Sequence, residues 1–525
     1  MRKLTVTVID TAGIQDYIFG SNVLKQNVGA SELVRCATQD WVYRELAELG
    51  ATNVDQNGHI NDQMGIEKDN LVCELVYAGG GNAVILFRSL EKAREFTRYL
   101  TRCALQKAPG LQLVVAHNEF DWDAQALSQV VLATLEQVRR KKHDPVVSTP
   151  LLGLSVTADC QYTGLPAVGK NQDGKRVSAE VRAKENAFEV AHRRLTEMLP
   201  LNGYEIPKDF DDFGRTRGES SYIAVIHTDG NGMGRRVADI ANNYRNSGDN
   251  RIYIQAIRAF SQSVVKVAQD ALDATYRQLI RAIDKKEDKI GGVVPIREQK
   301  LPLRPIVMGG DDVTFVCDGR LGLTLTEFYL RQVTGQPLED GKPLSVRAGV
   351  AVVKSHFPFA RAYALAEELT RSAKQYLKER QAPPYNESDI SAMDWHFAVS
   401  GAWLDLEQIR ERDYTVEAGK LTMRPVRLGA AAPWDWHAWK IFVQLVAEFQ
   451  SEKWSERRNK LYALHDALRD GPDAVEHFLK VYGFDLPAVP GNPDSARRGW
   501  IGRECPYFDP IEALEFFVPL EGGRQ

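Results

Sequence analysis

One succession of segments is written twice between residues 1 and 400. In the first half, the run 4–9 predicts a strand, and a helical pattern continues to residue 49. The stretch 51–70, rich in Asn, Asp, Gln and Gly, reads as a surface loop. Two apolar runs, 71–77 and 83–87, flank Gly79-Gly80-Gly81-Asn82. That is a hairpin signal, because glycine supplies the positive φ a tight turn needs. A helix over 90–106, a strand over 111–116 and a helix over 123–142 complete the half. In the second half a strand over 221–226 leads to a long helix over 252–283. Runs 305–308 and 313–317 then flank Gly309-Gly310-Asp311-Asp312. A helix over 324–332, a strand over 345–353, a helix over 359–378 and a strand near 395–399 follow. Both halves spell β-α-β-β-α-β, the ferredoxin-like order. The residues align too: Val8-Ile9-Asp10-Thr11-Ala12-Gly13 with Val225-Ile226-His227-Thr228-Asp229-Gly230, and the two glycine-led turns with each other. Two copies only indicate an internal duplication of one domain and not a solenoid.

In this alignment Ala12 stands where the second copy has Asp229, and Gly81 and Asn82 stand where it has Asp311 and Asp312. Carboxylates that served only the fold would stand in both copies. The expectation is one competent site and one silent copy. The expected organisation is α+β: a first, degenerate unit over 1–148 without metal carboxylates and a connector with a helix over 149–219. A second unit with the site follows over 220–400, then a helical C-terminal domain over 401–525. Trp434, Trp436, Trp439 and Trp454 in that last domain read as core.

Composition narrows the function. Of 525 residues, 44% are hydrophobic and 26% charged, an ordinary globular mix. The net charge of −4 argues against a protein that coats long nucleic acid and leaves small anionic ligands open. There is no run long enough for a membrane helix, and 1–10 reads as a strand and not a signal peptide, so a cytoplasmic protein is expected. The six cysteines form no C-x-x-C, so no zinc ribbon is expected.

Asp229 ends a strand, while Asp311 and Asp312 lie in a hairpin turn that neighbours it in a ferredoxin-like sheet. Their hard oxygens suit two Mg²⁺ or Mn²⁺ ions, which take few carboxylates plus substrate phosphates. Gly309 and Gly310 leave the turn open to a phosphate or base. The turn Asp229-Gly230-Asn231-Gly232-Met233-Gly234-Arg235-Arg236 opens a helix and offers backbone N–H groups to an anion, with Arg235 and Arg236 adding charge. Its glycine spacing is not the dinucleotide fingerprint. The run 164–171 mimics a P-loop but ends in Asn171 and carries Pro166, so it is rejected. Lys374 and Lys378 share a helix face within reach of a triphosphate, or form a solvated face. His227 reads as a satisfied core or rim histidine. His465-Asp466 lacks the partners of a phosphohydrolase site.

These motifs resemble the large polymerase/cyclase subunit of type III CRISPR effector complexes, with tandem palm domains of which one carries GGDD. The stretches that carry the resemblance are 13–19, Lys25 and 29–33 in the first copy, and 227–234, 309–312 and 345–352 in the second. The run 366–374 is similar to the end of GGDEF-type diguanylate cyclases. The resemblance covers about residues 1–400 and, more weakly, the C-terminus. It implies conversion of ATP to cyclic oligoadenylate messengers for antiviral signalling, with nucleotides between the palms. It implies that Asp229, Asp311 and Asp312 hold the ions, that Gly309 and Gly310 line the pocket, that Lys374 contacts the triphosphate and that Ser31 contacts a second nucleotide. The chain departs from the family in beginning at the first palm, without an HD nuclease domain, and in reducing a cysteine-rich zinc element to Cys160. DNA cutting and structural zinc are therefore not expected, and a stand-alone cyclase is open. The expected partners are an NTP, with ATP favoured, an effector that binds the messenger, and either CRISPR RNA complex subunits or a second copy of the chain. No membrane partner is expected. Two alternatives stand beside this reading: a silent scaffold that binds RNA or a partner, for which 139–142 offers a basic patch, and a primer-extending polymerase with a linear product.

Overall fold

The computed structural model describes residues 2–143, 156–213, 221–379, 390–398, 405–429, 435–455 and 458–520. The expected boundaries at 148/149, 219/220 and 400/401, and Trp434, lie outside the described residues.

The first half holds β1 (Lys3–Ala12), α1 (Ile14–Phe19), α2 (Leu24–Thr38), α3 (Asp40–Leu49), β2 (Cys73–Gly79), β3 (Asn82–Phe87), α4 (Leu90–Lys107), β4 (Gln112–Asp121) and α5 (Leu127–His143). The strands lie in the order β2-β3-β1-β4, and every neighbouring pair is antiparallel. The side chains of β1 alternate between two cores. Leu4, Val6 and Val8 pack with Val130, Val131 and Val138 of α5, whereas Ile9 packs with Leu24, Phe96 and Leu100 of α2 and α4.

The connector carries α6 (Ala179–Met198), as expected. Its buried stripe, Val181, Lys184, Phe188, Ala191 and Leu195, follows the helical period. Ser178 caps it by accepting from Val181 N at 3.3 Å. It lies so close to α2 that a Cβ on Gly29 would stand 1.8 Å from the Lys184 carbonyl oxygen. The connector is therefore packed on the first half.

The second half holds β5 (Tyr222–Gly230), α7 (Met233–Asn243), α8 (Asn250–Arg281), β6 (Leu303–Met308), β7 (Val313–Asp318), α9 (Gly322–Val333), β8 (Val346–Lys354), α10 (Phe359–Glu379) and β9 (Ser391–Ala398). Then come α11 (Leu406–Tyr414) and β10 (Val426–Leu428). The sheet order is β6-β7-β5-β8-β9-β10. Its first four strands repeat the antiparallel pattern of the first sheet, while β9 joins β8 in parallel. Residues 426–428, expected in a separate domain, pair with β9 at Ser391–Met393. That pairing starts β9 earlier than the apolar run near 395 suggested.

Three helices, α12 (Trp439–Gln450), α13 (Arg458–Asp470) and α14 (Pro472–Tyr482), close the chain's core. Trp436, Trp439 and Trp454 are buried, as expected. Trp395 of β9 meets Trp439 and Phe442, and Phe516 of the tail stacks on Phe397 at 4.8 Å. His465 stacks on Phe508 at 4.0 Å and is a packing residue. No described helix is long and apolar enough to cross a membrane.

His396 of β9 is 7% exposed and packs edge-on against Tyr414. Burial, then Arg424 and Arg410, push it down to about 3. In the unfolded chain the imidazole titrates near about 6.5. Between these values the unfolded chain binds more protons, so this stabilisation is full above about pH 6.5 and is lost as pH falls towards 3. His396→Gln is expected to flatten that loss. Between about pH 7 and about pH 5, the urea midpoint of the variant falls less than that of the wild type.

Candidate active site

Strand β5 is buried on both faces until its end, where Asp229 emerges half-exposed. The last pair in its ladder with β7 is Thr228 with Val313, so Asp229 and Asp312 come next in register. The turn between β6 and β7 is closed by Gly309 N donating to Asp312 O at 2.8 Å, with Gly310 at φ +86°. Three carboxylates thus meet at one sheet end.

Each glycine has its own reason. A Cβ on Gly230 would stand 2.8 Å from Asp311 Cβ, so glycine there lets Asp311 pack against the strand end. Gly310 is required by its positive φ. Gly309 is not at positive φ, and a Cβ there would make contacts of 3.4 Å or longer. Its missing side chain leaves space open beside the triad. Gly232 caps α7 in the left-handed region, and its carbonyl accepts from Arg235 N and Arg236 N.

The triad is crowded with like charge. Burial, then Asp229 and Asp312, push the Asp311 carboxyl up to about 7. His227 lies beneath, with Nδ1 3.3 Å from both Thr314 Oγ1 and Asp312 Oδ1. Burial lowers the His227 pKa, but the Asp312 hydrogen bond and charge outweigh it and the net shift is upward. His227 therefore touches the triad and is not only a core residue. Arg347 of β8 stands directly opposite Asp229 and is bonded to its Oδ2.

A divalent cation would fit these groups. Asp312 Oδ1 is buried with only His227 Nδ1 near it, at 3.3 Å, and Asp311 is held beside the like charges of Asp229 and Asp312. The three are not drawn around one point, since Arg347 engages Asp229. Among the described residues the one acidic group with all its ligand atoms within 4.8 Å of one another is Glu32, Cys36 and Asp40. There Arg35 bonds both carboxylates, at 2.8 and 2.7 Å, and occupies the space.

The other expected residues fall into two groups. Lys374 is partly buried on α10 and makes no ion pair or hydrogen bond among the described residues. Thr370 Oγ1, one turn before it, donates to His227 O at 3.1 Å. One helical turn and two strand residues both span about 6 Å, so Lys374 lies level with Asp229. Lys378 and Arg235 are exposed. Ser31 is on α2, a helix that touches β6. Asn231 is buried, and its amide is occupied by Ser345, Ile390 and Arg347. Arg236, expected to add charge to the turn, is instead buried: it binds Asp340 and the carbonyls of Lys342 and Pro343. The P-loop-like run 164–171 forms a turn and part of a short hairpin, not a strand–loop–helix.

Sequence reasoning missed Arg347, Tyr363 and Glu367. Tyr363 stacks on Phe19 of the first half at 3.6 Å and meets His227 edge-on at 5.5 Å. Burial, then Asp312 and Glu367, hold its hydroxyl far above its usual range. Gln15 Nε2 donates to Glu367 Oε1 at 3.3 Å, and Asn22 Oδ1 accepts from Phe359 N at 2.8 Å. The turns of both halves also meet: a Cβ on Gly80 would stand 3.4 Å from Gly309 O.

The strand register corrects one expectation. In the first half Asp10 pairs with Asn82, and both hairpins have two-residue loops. Asp10, not Ala12, is therefore the counterpart of Asp229. The first copy keeps that carboxylate, bonded to Lys142 Nζ at 2.6 Å.

No family model and no curated protein matches the sequence. Solved structures do match in fold. A Csm1–Csm4 cassette in complex with cA4 shares 12% identity at a TM-score of 0.53, over 98% of this chain and 69% of that one. The cassette in complex with AMPPNP gives 13%, 0.54, 98% and 70%. Csm1 of T. onnurineus gives 13%, 0.53, 99% and 70%. This chain has the fold of these Csm1 subunits of type III CRISPR effector complexes, and the likeness extends through its C-terminal part.

Phe19 is buried between the halves, against Tyr363 and Phe359. Phe19→Ala is expected to cost about 3–5 kcal/mol in urea unfolding, whereas Tyr363→Phe, which keeps the stack, costs about 1 kcal/mol or less. A loss under about 1 kcal/mol for Phe19→Ala would mean that this contact adds little to the bonds of Arg251 with Glu67 and Glu74 that also join the halves.

Proposed function

We propose that the chain is a metal-dependent nucleotidyltransferase that joins NTPs, ATP foremost, into cyclic oligonucleotides. In this reading the two sheets are tandem ferredoxin-like palm units, and only the second is competent. The observation that carries it is the meeting of Asp229, Asp311 and Asp312 at one sheet end, with Lys374 level with Asp229 and in no ion pair among the described residues. Complexes of the Csm1–Csm4 cassette with cA4 and AMPPNP support the adenine preference.

Asp229, Asp311 and Asp312 would hold two Mg²⁺ or Mn²⁺ ions. When bound, such ions activate a 3′-hydroxyl and stabilise leaving pyrophosphate in an in-line displacement. The chain's own residues do the positioning. Gly309 leaves room for the nucleotide to approach the triad. Lys374 reaches the polyphosphate as a point charge. The N–H groups at the start of α7, with Arg235 at the rim, favour negative charge. His227 fixes Asp312 from below, and Tyr363 packs edge-on against His227 from the side of the first half. The Gly79–Gly81 turn, facing Gly309, places the first half where a second nucleotide would lie. Ser31 on α2 is a candidate contact to it.

A second reading, a silent scaffold subunit, is favoured by one observation: Arg347 already engages Asp229. Product analysis separates the two. The purified chain is incubated with each NTP and Mg²⁺ or Mn²⁺, and products are identified by liquid chromatography and mass spectrometry. A cyclic product is expected from ATP, and Asp311→Ala/Asp312→Ala is expected to reduce it at least about a hundred- to a thousandfold. Near-native turnover in that variant would overturn the assignment, and a growing linear product would indicate a polymerase. Lys374→Ala is expected to raise KM for ATP about tenfold, read from initial rates.

A further inference from the structure

Asp229 and Arg347 are paired residues of neighbouring antiparallel strands, so their side chains leave the same face of the sheet. The Arg347 side chain is 5% exposed and that of Asp229 is 38% exposed. Besides its bond to Asp229, the guanidinium donates through Nη1 to Asn231 Oδ1 at 2.8 Å. Asn231 is itself immobilised. Its amide nitrogen donates to Ser345 Oγ at 2.9 Å and to Ile390 O at 3.1 Å, and its backbone N–H donates to Ser345 O at 2.9 Å. The cation is thus fixed from behind, while the carboxylate it holds faces the open end of the site.

The first half shows that this partner is a choice. Its counterpart carboxylate, Asp10, is bonded by Lys142, which lies near the C-terminal end of the helix after the fourth strand. Lys374 lies on α10, the helix after the fourth strand of the second half, but carries no such bond among the described residues. The residue opposite Asp10 in the ladder is the uncharged Val114. In the second half the counter-ion comes from the sheet, and Lys374 makes no ion pair among the described residues.

We propose that Arg347 is a positioning residue that holds Asp229 in an internal ion pair and competes for it with the divalent cation. This rests on the site proposed above. The chain alone then binds the cation weakly. Polyphosphate oxygens are needed to complete the ligand set, so cation and nucleotide load together. Arg347 sets this coupling without touching the nucleotide.

The test is Mn²⁺ binding to the full chain without nucleotide, read as loss of the free-ion signal in electron paramagnetic resonance. Arg347→Gln is expected to bind Mn²⁺ about ten- to a hundredfold more tightly than wild type, the range of a lost charge-assisted bond. Asp229→Asn is expected to bind it more weakly. A gain in affinity is not an effect that damage to the fold produces. If Arg347→Gln does not fold, Arg347→Lys keeps the buried charge but cannot hold Asp229 and Asn231 together, and a gain of severalfold is expected. If wild type binds Mn²⁺ through Asp229 and the Arg347 variants bind it no more tightly, the inference is overturned and the site stands. Absence of Asp229-dependent Mn²⁺ binding in every variant, with or without a non-hydrolysable ATP analogue, overturns the site and the inference together.

Discussion

Helix α10 approaches β8 so closely that a Cβ on Gly349 would stand 2.0 Å from the Ala366 carbonyl oxygen and 2.6 Å from Thr370 N. No rotamer relieves a clash with backbone, so the helix can lie at this depth only over glycine. The rest of the site hangs on that contact. It lets Thr370 bond the His227 carbonyl, which fixes the helix along β5. With that register set, Tyr363 falls over His227 and Lys374 level with Asp229. Phe359 and Tyr363 then meet Phe19 of the first half and Phe210 of the connector. The contact of α10 with Phe19 therefore follows from one close helix–sheet approach, and the halves are joined again at α8, where Arg251 donates to Glu67 Oε1 at 3.0 Å and to Glu74 Oε1 at 2.6 Å.

The two halves share a scaffold and differ in how they treat one carboxylate. Two like charges about 4 Å apart repel by about 4 kcal/mol at an effective dielectric near 20. The second half places three carboxylates together, so it has to supply compensation. Arg347 answers Asp229 and His227 answers Asp312, while Asp311 is left with a raised affinity for a proton. The first half has Gly81 and Asn82 in place of the hairpin aspartates, and the single bond from Lys142 satisfies Asp10. The aligned sequences suggested that the first half lacks all three carboxylates; it lacks the two of the hairpin and keeps the one on the strand.

What was legible in the sequence was local. The glycine-led turns, the strand before Asp229 and the helix carrying Lys374 are set by spacing and turn chemistry within a few residues. What was not legible depends on register. Aligning Val8-Ile9 with Val225-Ile226 put Asp10 opposite His227, because a strand sequence does not record where its neighbour pairs. Arg347 lay inside a stretch already singled out, yet only the ladder shows that it faces Asp229. Arg236 looked like surface charge beside a turn, and only the loop around Asp340 reveals that it is buried. The short β10 was hidden for the same reason: three residues carry no period, and they become a strand only against Ser391–Met393.

The placement of cations therefore says more about this site than the carboxylates do. A GGDD turn appended to any hairpin would give acidic residues in a loop. Here the strand end contributes Asp229, the hairpin Asp311 and Asp312, and the opposing strand Arg347. Asn231, bonded to Ser345, Ile390 and Arg347, ties the turn after Asp229 to the start of β8. Buried polar groups with every bond made hold geometry more narrowly than apolar contacts do. That rigidity suits the proposed activity, in which the work is placement, since a misplacement of about 1 Å at reacting atoms costs about a hundredfold in rate. The immobile Asn231–Arg347 pair behind the exposed Asp229 meets that requirement, leaving the carboxylate as the member of the network that faces the open site.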